Sequence, residues 1–441
     1  TEKKGKIVAS QDYTAASYNG SLIEIAGEDA SMTMESGNIS AVRETPDSNG
    51  QYGVGVTDGG DFTMTGGKIE AGWFAVAGNG NYKTQNSIIN ITDGELISTA
   101  DYAVYLPQSG TTTISGGKVY GAAGGVCIQR GTLNVEGTAL ITSKGTGSTG
   151  NWGDGTGGLD CAAINVSGAY GIATVNIKGG TLIAEAKSLI TEGTDYTPVI
   201  NVTGGTFSDP SVLKYMATNA TVDIKLLSNI NIAKTELATG YILNAANATA
   251  NLNLNGHDII NSSETADATP FTQIFTVQNG TLNISGNGNV KCDASATAKD
   301  DGYRMVIEAR GYGTVNIHGG SYYNTQKLNT QIDLIYAREN GKINIYGGTF
   351  ESGKYGTPNN DTDGRYWVLN LKNTDKNTAS IQVSGGTFIN FNPANPNMDD
   401  NESYLVTGYE VTRDGSVYTA AHKVGDGRKE YIVGPTSQEN R

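Results

Sequence analysis

Proline is scarce in this chain of 441 residues, with only 9, and no Gly-X-Y period runs through it, so collagen and Pro/Gly-rich disorder are excluded. Charged residues make up 17 %, well under the usual ~25 %, and a chain this poor in charge has the apolar content to bury a core. No apolar run approaches the ~18 residues that cross a bilayer, so no membrane span is expected. The first ten residues, TEKKGKIVAS, hold no apolar signal core, so a leader is expected to have been removed or never to have existed. The three cysteines, Cys127, Cys161 and Cys292, are odd in number and far apart. That excludes a disulfide framework and a zinc-like spacing and leaves them as small buried hydrophobes. Cations are outnumbered, 30 Lys+Arg against 44 Asp+Glu for a net charge of −14, which argues against nucleic acid as a partner. The three histidines, His257, His318 and His422, lie in no triad-like context and in no His-Glu-x-x-His.

Glycine, in contrast, is abundant, 60 residues or about twice the usual share, and it is placed periodically. The unit apolar-x-apolar-x-Gly, often with a second Gly and another short apolar run, recurs as DFTMTGGKIEA (61–71), TTTISGGKVYG (111–121), TVNIKGGTLIA (174–184), TVNIHGGSYYN (314–324), KINIYGGTFES (342–352) and SIQVSGGTFIN (380–390). Each apolar-x-apolar triplet has the period of a half-buried strand, and the Gly-Gly that follows suits a sharp corner, where a positive φ costs little. A third apolar run precedes the unit, as in Ala103-Val104-Tyr105-Leu106 or Leu334-Ile335-Tyr336. Helical spacing of apolar residues is almost absent. Gly37, Gly67, Gly94 and Gly117 are unevenly spaced, which stacked strands tolerate by letting loops bulge outward and paired helices do not. The pattern predicts an all-β, right-handed parallel β-helix with three strands per coil, and about thirteen corner motifs give a rod on the order of 60–70 Å long.

Asparagine occupies the middle of nine triplets, at 90, 134, 165, 176, 201, 253, 283, 316 and 344, although strands ordinarily avoid it. Repetition at one position predicts a column of side-chain amides bonded from strand to strand. Both GGTFSDPSVLKYM (204–216) and GGTFINFNPANPNMDDNESYL (385–405) end a run of units with Gly-Gly-Thr-Phe and a proline breaker. Two consecutive modules are therefore expected, 1–216 and 217–403, then a C-terminal β-hairpin cap over 404–432 turning at Asp414-Gly415, and a flexible tail over 433–441.

NLNLNGHDI (251–259), FTVQNGTLNISGNGNV (275–290) and the repeated GGTF units ending in YLVTGYEVTRDGSVYT (404–419) resemble pectin-lyase-like parallel β-helix proteins of gut bacteria and their phages. The resemblance covers nearly the whole chain, and the shared residues, Leu254, Gly256, His257 and the corners, are architectural. It implies an extracellular adhesin-like surface protein, or a virion fibre or spike, the latter as a homotrimer. It also implies an alternative, a polysaccharide lyase or glycoside hydrolase of the same class, which would need clustered carboxylates. The one such cluster is Arg304, Glu308 and Arg310, with Asp300-Asp301 before it.

Alignment on the corners puts Arg310, Arg338 and Lys372 at one position of the repeat, a cationic column that grips an acidic glycan unless Glu308 and Glu339 neutralise it. Tyr322, Phe350 and Phe388 follow successive corners and should stack in the core, whereas His318 and Tyr346 precede them and should face outward, where rings can stack on sugars. The loop SKGTGSTGNWGDGTGGLD (143–160) interrupts the repeat and presents Trp152 to a ligand. Its two G-x-G-x-x-G matches do not lead from strand to helix, so no dinucleotide site is expected. Asn360-Asp361-Thr-Asp363-Gly364 and Asp399-Asp400-Asn-Glu402 are acidic without completing a calcium loop. The expected function is therefore a non-enzymatic extracellular rod that contacts glycans through Arg310, Arg338, Lys372, His318, Tyr346 and Trp152, with no catalytic residue, metal or cofactor. A far-ultraviolet circular-dichroism spectrum should show strand and negligible helix; a helix-dominated spectrum would overturn the fold.

Overall fold

The computed structural model describes residues 5–8, 20–42, 51–80, 85–149, 158–192, 195–232, 240–261, 271–292, 303–324, 332–352, 366–396 and 402–423. Within them the protein is nearly all β, its helical content being two 3-10 turns, Pro210–Tyr215 and Asn373–Asp375. The strands form sheets of 21, 7 and 8 strands, and every pairing between named strands is parallel except those of the C-terminal hairpin.

One return of the chain shows why. Gly124–Ile128 joins the 7-stranded sheet, Gly131–Val135 carries the Asn triplet, and Leu140–Ser143 follows the corner. Each pairs with its counterpart one return earlier: Tyr102–Leu106, Gly110–Ile114 and Lys118–Gly121. The glycine corner makes the close stacking feasible. At Gly117 (φ 73°) a Cβ would lie 2.7 Å from the carbonyl oxygen of Gly94, which itself has φ 102°. Uneven corner spacing arises in the connections on both sides of the apolar run: those leading into it include 42–51, 144–161 and 353–365, and those leaving it range from 129–130 to 78–86.

In-register pairing turns the apolar positions into continuous columns. One runs through Ile39, Ile69, Leu96, Val119, Ile141, Leu182 and Phe207, each paired with the next. It continues without a break through Ile224, Leu252, Ile284, Ile317, Ile345 and Val383. All are within 3 % of complete burial. At ~25 cal/mol per Å2 of apolar surface removed from water, such columns are the main favourable contribution to folding.

The joint near residue 216 holds a phase shift absent from the sequence reading. Below it the column belongs to strands after the corner (Thr181–Ala184, Thr206–Phe207); above it, to strands of the Asn triplet (Thr221–Lys225, Lys342–Ile345). Phe207 stacks on Ile224, while the triplet strand of the first half ends in a single bridge from Val202 to Met216. The 21-stranded sheet thus crosses the joint intact, the 7-stranded sheet ends at Lys187–Thr191, and the 8-stranded sheet begins at Ile230–Ile232. Asp209 caps the Pro210–Tyr215 turn, accepting from Ser211 N at 2.9 Å and from Ser188 N. Ser211 Oγ donates to Leu189 O at 3.1 Å, so this turn covers part of the edge that the 7-stranded sheet would expose. At the far end Tyr409–Asp414 and Val417–His422 form the antiparallel hairpin and lie on Thr387–Ile389. The expected tail lies outside the described residues.

The amide ladder exists, in two runs. Asn201 Nδ2 donates to Asn176 Oδ1 and Asn176 Nδ2 to Asn134 Oδ1, both at 3.0 Å. In the second half Asn344 donates to Asn316, Asn316 to Asn283 and Asn283 to Asn251, each at 2.8 Å, and Asn251 donates to Asp223 at 2.9 Å. Asp223 can only accept; it sits above Thr206 rather than above Asn201, so the phase shift gives the run a natural start. Three expected members do not take part. Asn90 stands between Thr63 and Thr113 rather than between asparagines. Asn165 lies in the 7-stranded sheet, and Asn253 accepts from the backbone N–H of Asn255 instead, the triplet that joins the ladder being centred on Asn251. Inside, Tyr322, Phe350 and Phe388 stack as expected, successive ring centroids 5.0 Å apart.

Two substitutions probe this architecture. Phe350→Ala, which empties the middle of the ring stack, should cost about 3–5 kcal/mol in denaturant unfolding. Asn316→Asp sets an acceptor against the acceptor of Asn283 and should cost about 1–3 kcal/mol, recovered in part when the carboxyl is protonated in acid; equal cost at pH 3 and pH 7 would contradict the ladder's polarity.

Candidate functional site

Two features of the second half gather the sequence candidates. The first lies on the face of the apolar-run strands turned away from the core. Ile307, Ile335 and Leu369 are paired in register and point inward, so their neighbours Glu308, Tyr336 and Asn370 share the opposite face. Arg310, Arg338 and Lys372 follow two residues later at equivalent positions, since Ala309, Ala337 and Leu371 are mutually paired. The expected alignment of the three cations therefore holds.

Their chemistry differs from a bare cationic column. Arg338 Nε lies 2.6 Å from Glu308 Oε1 and its Nη1 lies 2.6 Å from Glu339 Oε1. Arg310 Nε is 3.9 Å from Glu308 Oε2, and Lys372 Nζ is 3.4 Å from Asp375 Oδ2. Asp375 also accepts the backbone N–H of Glu339 at 2.6 Å, and that bond, with those from Thr374 and Lys372, holds its carboxyl below the usual range. Glu339 itself sits in the left-handed region (φ 60°), where a non-glycine residue is strained. Its carboxylate takes the N–H of Gly311 at 2.9 Å, so the network that fixes the turn also carries the charge. Each cation thus has a carboxylate partner, which removes the self-repulsion and weakens the case for an acidic glycan at this column.

Glu308 is only 2 % exposed, although it stands on the face turned away from the core. Thr276 Oγ1 and Gln273 Nε2 approach its second oxygen at 3.5 Å. Asp333, overlooked in the sequence, is equally buried and accepts from Asn370 Nδ2 at 2.9 Å. Burial, reinforced by the negative charge of Glu308, pushes its carboxyl up to about 7. Tyr336 is pushed up to about 12, first by burial and then by Asp333. The one clue to Asp333 was an acid standing where the preceding return has Met305, directly before an apolar pair. Arg304's side chain and Asp300-Asp301 lie outside the described residues, as do Trp152, both Asp361 and Asp363, and Asp399-Asp400.

The second feature is the ring pair. His318 and Tyr346 face outward on adjacent returns, centroids 4.7 Å apart and planes within 10°. Tyr346 is 50 % exposed, and Tyr312, a ring the sequence reading passed over, is 75 % exposed.

A groove of about 710 Å3 lies at the joint, lined among others by Asp160, Glu192, Lys187, Asp209 and Lys214. Glu192 Oε2 accepts from Asn165 Nδ2 at 2.7 Å and from Asp160 N at 2.8 Å; burial, then the neighbouring Asp160, raises its carboxyl. The three cysteines are buried, as expected. Among the described residues no cluster of His, Cys, Asp or Glu is arranged to hold a metal, and no helix is long and apolar enough to cross a membrane. Comparison with protein-family models, curated proteins and solved structures finds no match to the chain.

Two measurements test the buried network. Arg338→Met leaves Glu308 buried without its closest cation and should cost on the order of 3 kcal/mol, most of it recovered in the double variant with Glu308→Gln. Asp333 in the folded protein keeps its proton above the ~3.9 of an unfolded aspartate, so folded molecules bind more protons between those values. Stability should therefore fall by a few kcal/mol as pH rises from about 4 to about 7 and level off above, and Asp333→Asn should flatten that slope.

Proposed function

We propose that the protein is a right-handed parallel β-helix of the pectin-lyase-like kind, serving as a non-enzymatic extracellular rod on a bacterial surface or phage particle and contacting glycans through exposed rings. The parallel, in-register sheets and the lengthwise ladders support the rod. A structure whose returns bond to one another along its whole length resists extension, as a surface or virion element must. The observation that carries the adhesive reading is the His318–Tyr346 pair: two stacked rings held in water, with no core to fill, offer the apolar face that a sugar ring needs.

Ion pairing of Arg310, Arg338 and Lys372 makes them supports of their turns rather than the primary grip. A second reading, a polysaccharide lyase or glycoside hydrolase, draws on the groove at the joint, where Glu192 has the raised carboxyl of a general acid beside Asp160. Glycan-array binding together with incubation on neutral and acidic polysaccharides separates the two. Binding without release of reducing ends or unsaturated product is expected; product release abolished by Glu192→Gln would establish the enzyme instead. Light scattering assigns the setting, a trimer for a virion fibre and a monomer for a surface protein.

A further inference from the structure

The residues that immediately precede four successive corners are Ser285, His318, Tyr346 and Ser384. Their backbone N–H groups mark the stacking: His318 donates to Ile284 O, Tyr346 to Ile317 O and Ser384 to Ile345 O, each at 2.8 Å. The two rings turn one face toward each other and the other face toward a serine on the flanking return. Both serines are small and fold their hydroxyls back on the chain, Ser285 Oγ to Leu252 O and Ser384 Oγ to Ile345 O, each at 3.4 Å. Since neighbouring strands are ~4.8 Å apart, the return bearing Ser384 leaves the space of one ring against the outer face of Tyr346.

One residue on from Tyr346, Gly347 lines a groove of about 460 Å3 along the corners, whose lining includes Gly348, Gly386, Thr349, Thr387 and Thr419, and no lining residue is ionisable. Thr349, Thr387 and Thr419 are paired in register, and their neighbours Phe350 and Phe388 fill the core, so the two threonines before them face outward as a row of hydroxyls.

We infer that the outer face of Tyr346, the gap over Ser384 and the hydroxyls of Thr387 and Thr419 form a subsite for one unit of a neutral hexopyranoside chain. The inference rests on the glycan-binding reading and specifies its ligand. A pyranose is about as thick as the missing ring, presents C–H groups to the phenol face, and offers equatorial hydroxyls to the threonine row. A charged sugar finds no counter-ion in the lining, so the site discriminates against uronates.

The test is calorimetric titration of the full chain with cello-, manno- and maltohexaose and with oligogalacturonate. At least one neutral hexaose should bind in preference to oligogalacturonate. Tyr346→Ala should weaken it about tenfold, and Ser384→Trp, which fills the gap with a ring of its own, by a similar factor. Thr387→Val should weaken it about fivefold, with thermal unfolding unchanged to show that the fold is intact. Lys118→Ala, on the first half, is the control. Neutral binding that survives both Tyr346→Ala and Ser384→Trp overturns the subsite while leaving the adhesive reading in place. Preference for oligogalacturonate overturns the neutral ligand. Binding of no member of the panel overturns the adhesive reading along with the subsite.

Discussion

Everything in this molecule depends on parallel strands meeting their counterparts residue for residue from one return to the next. Parallel ladders bond each strand to its neighbours along the length of the stack, and side chains alternate with period 2. A slip of a single residue would carry the apolar column from Ile39 to Val383 to the outside and the asparagines inside. Burial therefore enforces register, and register in turn makes like stack on like: Phe350 between Tyr322 and Phe388, Asn316 between Asn283 and Asn344, Tyr346 on His318.

The same rule makes polar residues cooperative. An asparagine in an isolated strand has little to offer, whereas in the ladder each amide is donor to one neighbour and acceptor for the next. The second run starts on a group that only accepts, Asp223 at the joint, where the chain shifts by one strand. The ion-pair network shows the complementary case. Stacking brings Arg310, Arg338 and Lys372 together, and the conflict is resolved by Glu308, Glu339 and Asp375 at the same turn. What looks in one dimension like a cationic strip is a set of braced corners. The ring pair takes no part in that network, and Tyr346 stays half exposed.

Much of this is legible in one dimension because the repeat is local. Apolar-x-apolar-Gly-Gly states strand, corner and strand within a few residues, and counting glycines aligns Tyr322 with Phe350 and Phe388 without coordinates. The site was half legible for the same reason: His318 and Tyr346 occupy fixed positions relative to Gly319 and Gly347. Where the unit is ambiguous, reading by triplet misplaces residues, as with Asn165, which sits in a different sheet, and Asn253, two positions from the true ladder member. Asp333 escaped notice because nothing in Ile332-Asp333-Leu334 states that the outer face of that strand is covered.

By itself the sequence determined the strand class, the corners, the stacked rings and the C-terminal hairpin, since each follows from neighbours within one repeat. Only the tertiary structure decided which outward faces stay in water, which carboxylate meets which guanidinium, and how the halves join. These depend on contacts between residues in different returns, such as Glu308 with Arg338 and Phe207 with Ile224, whose energies arise only once the returns are stacked.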